Sequence, residues 1–214
     1  SGVGKMRTGT IRIGATETAL YGVLLDVLAK FRAAYPGIRL HITNGSTSST
    51  AAALRKGLLD LAVVTSPIDF LPDIQSTPLL AFKELLVAAA CSDYSKERRI
   101  TPDEVFIYPI VSLGRHAKTY DFYSHLFLPY GLEWQPDIDL ATSDQILPMI
   151  KAGLGVGFVP EFMAKRDLEQ KTIVPIEVIG LKPEREIILL EDKTKCLSAA
   201  AAALRRMMLS KAES

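Results

Sequence analysis

Apolar positions along the chain switch repeatedly between two periods. Thr10-Ile11-Arg12-Ile13-Gly14 alternates as a strand does, and Leu20, Leu24, Val27, Leu28 and Phe31 then recur at helical spacing. The helix is predicted from about Ala19 and is stopped by Tyr35-Pro36-Gly37. Ile38 to Thr43 predicts a second strand, Thr50 to Lys56 a short helix closed by Gly57, and Leu58 to Val64 a buried third strand. Strands alternating with helices predict an α/β fold with a parallel sheet.

The second half repeats the scheme. Leu85 to Ala90 predicts a strand, and Ser92 to Arg99 a polar surface stretch. Thr101-Pro102 predicts a capped helix start. Tyr108 to Leu113 predicts a strand, Thr119 to Leu128 a helix and Ile138 to Ala141 a strand. Ile146 to Ala152 then predicts a helix and Gly155 to Val159 a strand, followed by strands at Ile173 to Ile176 and Glu186 to Leu190. A last helix runs from Leu197 to Met208, with Leu197, Ala201, Leu204 and Met208 on one face. Two stretches echo each other. Thr50 to Val64 and Gln145 to Val159 each run from a polar cluster through a helix, a lysine and a glycine into a strand. Two lobes of like build would produce this; so would the ordinary reuse of helix–glycine–strand joints.

Length and composition bound the function. The chain has 214 residues, 48% hydrophobic and 23% charged, enough to fill a core. Lys plus Arg is 25 and Asp plus Glu is 24, without the basic excess of a chain built to hold a phosphate backbone. The two cysteines, Cys91 and Cys196, sit among apolar or small residues and are expected to be buried free thiols. No apolar run is long enough to cross a membrane and no signal peptide opens the sequence, which reads as cytoplasmic with no membrane partner.

Enzyme signatures find little to hold. Gly153-Leu-Gly155-Val-Gly157 stands in the wrong order for a dinucleotide fingerprint, because these glycines close a helix and open a strand. Gly153 is expected to take the left-handed conformation that ends a helix, and Gly155 and Gly157 to allow close packing. His41, His116 and His125 have no metal-ligand spacing, and no nucleophile elbow is present. Neither a metal nor a cofactor is expected.

Strand ends carry the informative pattern. Thr16-Glu17-Thr18, Ser46-Thr47-Ser48-Ser49-Thr50 and Thr65-Ser66 follow the first three strands; Ser112-Leu113-Gly114-Arg115 and Thr142-Ser143-Asp144 follow strands of the second half. In open α/β sheets ligands gather at the carboxyl ends of strands, where helix N-termini offer unpaired N–H groups to anions. Hydroxyls there fix orientation, although each cluster alone could simply cap a helix. Arg115 is the one obvious cation, while Glu17 would disfavour an anion if it pointed inward.

The ordered set Gly9-Thr-Ile-Arg-Ile-Gly-Ala15, Phe31-Arg-Ala-Ala-Tyr-Pro-Gly37, Leu54-Arg-Lys-Gly57-Leu-Leu-Asp60-Leu-Ala-Val-Val and Ile150-Lys-Ala-Gly153-Leu-Gly155-Val-Gly157-Phe-Val-Pro160 resembles the effector-binding (substrate-binding) domain of LysR-type transcriptional regulators. The resemblance implies two Rossmann-like lobes joined by two crossover strands, the type 2 periplasmic-binding-protein fold. It places lobe I at 8–86 plus 190–214 and lobe II at 87–189, with 1–7 as a linker remnant or cloning scar. The crossings are expected near Leu86 to Cys91 and Ile188 to Glu191. It implies a small, carboxylate-like or otherwise anionic effector between the lobes, at Thr16, Thr18, Ser46, Thr47, Thr65, Ser66, Arg115, Thr142 and Ser143. It also implies a homodimer, or a tetramer in the full-length protein, paired through Leu20 to Ala34 and the Thr119 to Leu128 region. DNA would be reached only through an N-terminal helix-turn-helix domain that this sequence does not include. The alternative is an extracytoplasmic solute-binding protein of a transporter. An enzyme on the same fold would have to work with Glu17, Arg115 and Asp144.

Overall fold

A computed structural model describes residues 8–213. Residues 1–7, read above as a linker remnant or scar, lie outside the described residues. β1 (Gly9–Ala15) leads into a continuous helical run: α1 (Glu17–Ala19), a π-helical turn (Leu20–Leu24) and α2 (Leu25–Ala34). β2 (Ile38–Asn44), α3 (Thr47–Arg55), β3 (Leu61–Thr65) and the long β4 (Ile74–Ala89) follow. Next come β5 (Arg99–Ile100), β6 (Val111–Leu113), α4 (Lys118–Phe127), β7 (Ile138–Leu140), α5 (Ile146–Lys151) and β8 (Gly157–Pro160). The chain ends with α6 (Glu161–Glu169), β9 (Ile173–Val178), β10 (Glu184–Asp192) and α7 (Ala199–Ala212).

The molecule divides into two compact units, and the chain passes between them twice, at Ala81 to Phe82 within β4 and at Arg185 to Glu186 within β10. In the first unit β2, β1 and β3 are parallel, with Gly9 opposite Ile38 and Ile13 opposite Leu61, and β10 is antiparallel to β3. The sheet is therefore mixed, because β10 returns from the other unit against the direction of β3. Ala62 and Val64 pack with Leu54 of α3, so the pleat turns Leu61 and Val63 to the opposite face. Phe31, Ala201, Leu204 and Met208 are fully enclosed, α2 packs on α7, and Lys211 reaches Asp26 at 2.7 Å. Leu197, expected on the buried helix face, precedes α7, whose N-cap is Ser198.

In the second unit β4 is antiparallel to both β8 and β9, β5 is parallel to β9, and β6 and β7 form a separate parallel pair. One core is aromatic: Tyr123 stacks on Phe158 at 4.7 Å and Phe127 on Trp134 at 5.3 Å. A second core gathers Val87, Val111, Ile150, Val159 and Ile173. The second unit also buries a charged pair. Arg185 Nη1 donates to Glu84 Oε1 at 3.0 Å, with side chains only 4% and 2% exposed.

The glycine joints account for the internal echo. Gly57 (φ +74°) and Gly153 (φ +81°) both adopt the left-handed conformation, and the same pair of bonds closes each helix. Gly57 N donates to Leu54 O and Leu58 N to Ala53 O; Gly153 N donates to Ile150 O and Leu154 N to Met149 O.

Several expectations need correction. The third strand starts at Leu61 rather than Leu58, because Leu58 is spent on closing the helix and is 60% exposed. The strand expected at Tyr108 starts at Val111, and Thr101-Pro102 opens a 3₁₀ turn (Asp103–Ile107) rather than an α-helix. There the Thr101 N–H donates to Glu104 Oε2 at 2.8 Å, half of a capping box. Helix α6 (Glu161–Glu169) has no counterpart among the elements predicted from the apolar pattern. Both cysteines are free but exposed, since Cys91 sits in the turn after β4 and Cys196 in the segment before α7.

Candidate functional site

In the first unit the ends of β1 and β3 and the start of α3 are knotted together by threonines. Thr16 follows β1 and caps α1, its Oγ1 accepting from Ala19 N at 3.3 Å. That oxygen lies 2.7 Å from Thr65 Oγ1, and Thr47 Oγ1 donates to Thr65 O at 2.7 Å. All three residues are buried, as is Thr18. The hydroxyl pair leaves one proton over: whichever of Thr16 and Thr65 donates to the other, the remaining O–H can be given to an acceptor. Ser46 caps α3, its Oγ accepting from Ser49 N at 3.1 Å, and Ser66 Oγ accepts from Glu186 N at 2.8 Å. Helices α1 and α3 thus both begin at this end, with first-turn N–H groups suited to an anion. Glu17, half-buried in the first turn of α1, stands where the helix N-terminus favours a carboxylate.

In the second unit β6 and β7 end side by side. Gly114 N donates to Leu140 O at 3.3 Å, and His116 Nε2 lies 3.0 Å from Ala141 O, which ties the loop after β6 to the residue before Thr142. Arg115 is largely exposed, 4.0 Å from Glu133 and 5.4 Å over the Tyr120 ring. So long and exposed an ion pair holds the guanidinium weakly. Thr142 precedes the 3₁₀ turn Ser143–Gln145 but makes no side-chain cap bond. Its exposed hydroxyl is therefore not used in capping, unlike that of Ser46. Ser143 is half-buried beside it. The nine expected residues thus fall into two sets. Thr16, Thr18, Ser46, Thr47, Thr65 and Ser66 belong to the first unit, and Arg115, Thr142 and Ser143 to the second.

His116 and the Glu84–Arg185 pair were not singled out from sequence as parts of any site. The signal for the pair is Lys83-Glu84 ahead of the apolar run Leu85 to Ala90, and the charged cluster Glu184-Arg185-Glu186 that opens β10. Among the described residues no cluster of His, Cys, Asp and Glu could hold a metal ion.

The model of the LysR substrate-binding domain matches residues 4–213. The chain belongs to that family. A probable RuBisCO transcriptional regulator of Cyanidioschyzon merolae is 22% identical over 209 residues, 95% of this chain and 69% of the relative. The chain spans between 47% and 69% of the first curated relatives it matches. Among solved structures, the effector-binding domain of QuiR in complex with shikimate superposes with a TM-score of 0.82 at 20% identity, covering 96% of this chain and 98% of that one. The CcmR regulatory domain of Synechocystis in complex with 2-PG gives 0.83 at 16% identity, covering 95% and 97%. The LysR domain therefore has the mixed α/β, type 2 periplasmic-binding-protein-like fold. Its family is one of transcription regulators, and the transport-receptor alternative finds no support.

Proposed function

We propose that this LysR domain senses a small carboxylate-like or otherwise anionic effector and catalyses nothing. The effector is taken by Thr16, Thr18, Ser46, Thr47, Thr65 and Ser66 of the first unit together with Arg115, Thr142 and Ser143 of the second. The observation that carries the reading is the Thr16–Thr65–Thr47 knot, which leaves a hydroxyl proton to give beside two helix starts. Such a place donates hydrogen bonds and suits an acceptor such as a carboxylate. Arg115, weakly engaged by Glu133, adds a charge-assisted bond. The shikimate held by one structural neighbour is a carboxylate, in keeping with this chemistry.

The effector acts by population shift: it binds one conformation of the domain better than another and so biases a homodimer. An N-terminal helix-turn-helix domain of a cytoplasmic regulator reads the change on DNA. A thermal-shift screen of small carboxylates, sulfate and amino acids tests the proposal. Ligands that raise the Tm of the wild type are expected to lose most of that effect in Thr65→Val/Thr142→Val. An unchanged response in that variant would move the site elsewhere.

A further inference from the structure

The second unit holds a cavity that contains none of the nine residues above. Its volume is about 610 Å³, within the range of small-molecule sites, and its wall is formed by β4, β8, β9 and the turn before β10. Leu86, Phe158, Ile176, Val178 and Leu181 supply an apolar, partly aromatic lining, and all but Leu181 are buried. The charges around it are unevenly engaged. Glu84 is taken by Arg185, and Glu177 lies 3.4 Å from Arg99. Arg98 gives its Nε to Ser95 O. Lys83 and Lys182 are exposed and make no ion pair among the described residues, and Glu184 is an exposed carboxylate of the same rim.

An apolar pocket whose spare charge is mainly cationic suits a particular ligand class. We propose that this cavity is a second small-molecule site, for an amphipathic anion with an aromatic body and a carboxylate or sulfonate. The ring lies against Phe158, Ile176 and Val178, where burial of apolar area drives binding. The anionic group is left at the rim for Lys83, Lys182 and Arg98. The cavity lies against Lys83 to Leu86 of β4 and against Glu184, the first residue of β10.

Naphthalene-1-sulfonate is the probe. It is titrated into the whole chain carrying labelled Ile, Leu and Val methyl groups, with chemical shifts followed by NMR. Saturable shifts are expected at Leu86, Ile176, Val178 and Leu181, with none at Ile13 or Val63. Lys83→Gln/Lys182→Gln, which touches only exposed side chains, is expected to weaken binding about tenfold. Leu181→Trp is expected to abolish it by filling the cavity. 1-Naphthylmethylammonium should bind more weakly than the sulfonate. Thr65→Val/Thr142→Val should leave the titration unchanged, so that this site stands or falls apart from the effector proposal. Shifts that do not saturate, shifts centred in the first unit, unaltered affinity in the lysine variant or tighter binding of the ammonium would each overturn the proposal.

Discussion

Replacing Arg185 by methionine removes the guanidinium from a pair with almost no access to water. Glu84 would keep a side chain 2% exposed and lose the donor now 3.0 Å from its Oε1. Breaking one partner of a buried ion pair costs about 3–5 kcal/mol, because the remaining charge is left uncompensated. The lost bond from Arg185 Nη2 to Thr119 Oγ1, at 2.9 Å, adds about 1 kcal/mol. Methionine keeps much of the packing on Phe122, whose ring lies 5.2 Å from the guanidinium, so the aromatic core should survive. The expected loss is therefore about 4–6 kcal/mol at neutral pH, a large part of the stability of an ordinary domain. Its pH dependence has a definite sign. Burial pushes the Glu84 carboxyl up even with Arg185 beside it, and without Arg185 it rises further. A carboxyl whose folded value lies above its unfolded value contributes fully below the unfolded value. That contribution is lost as pH rises through the folded one. The variant should thus be nearly as stable as the wild type near pH 4 and fall behind it toward pH 7. Urea unfolding at both pH values measures this. The double variant Glu84→Gln/Arg185→Met should recover most of the loss. A cost below about 1 kcal/mol at pH 7, or a double variant no better than Arg185→Met, would refute the reasoning.

Gly155→Ala would place a Cβ 2.4 Å from Pro109 O, a backbone atom that cannot step aside; a loss of about 1–3 kcal/mol in urea unfolding is expected. Asp167→Asn should cost about 1 kcal/mol at pH 7. The Lys151 ammonium, bonded at 2.7 Å, and the Thr172 hydroxyl hold the Asp167 carboxyl below its usual value, so the difference should disappear as pH falls through that lowered value. Both cysteines should react with 5,5′-dithiobis(2-nitrobenzoate) in the folded protein, giving two thiols per chain; a silent thiol would contradict the exposed placement of Cys91 and Cys196.

Elements whose apolar pattern matched one period were legible in the sequence, and those that crossed a boundary were not. β1 and α2 read cleanly: Ile11 and Ile13 are buried with Arg12 exposed between them, and Val27, Leu28 and Phe31 share the buried face of α2. The first half of β4 did not read as a strand, since Ile74 to Leu80 is largely exposed and holds Pro78, a residue that ordinarily demotes a strand. α6 carries a similarly weak signal. Pro160 stands at its N-cap, and only Ala164 and Leu168 recur at helical spacing on its apolar side. At the candidate site the hydroxyl-rich strand ends could be read as a pattern. The sequence could not reveal which hydroxyls are already engaged. Thr47 is spent on Thr65 O, Ser46 on a cap and Ser66 on Glu186 N, whereas Thr142 makes no cap bond. Those bonds join residues up to 120 positions apart, beyond the reach of local spacing.

Calorimetric titration of the strongest carboxylate from the thermal-shift screen into wild type and into Thr65→Val/Thr142→Val tests the sensing claim most directly. One saturable site per chain is expected in the wild type, and affinity at least tenfold weaker in a variant that still unfolds cooperatively. Equal affinity in the two proteins, or no carboxylate that binds the wild type, would contradict it.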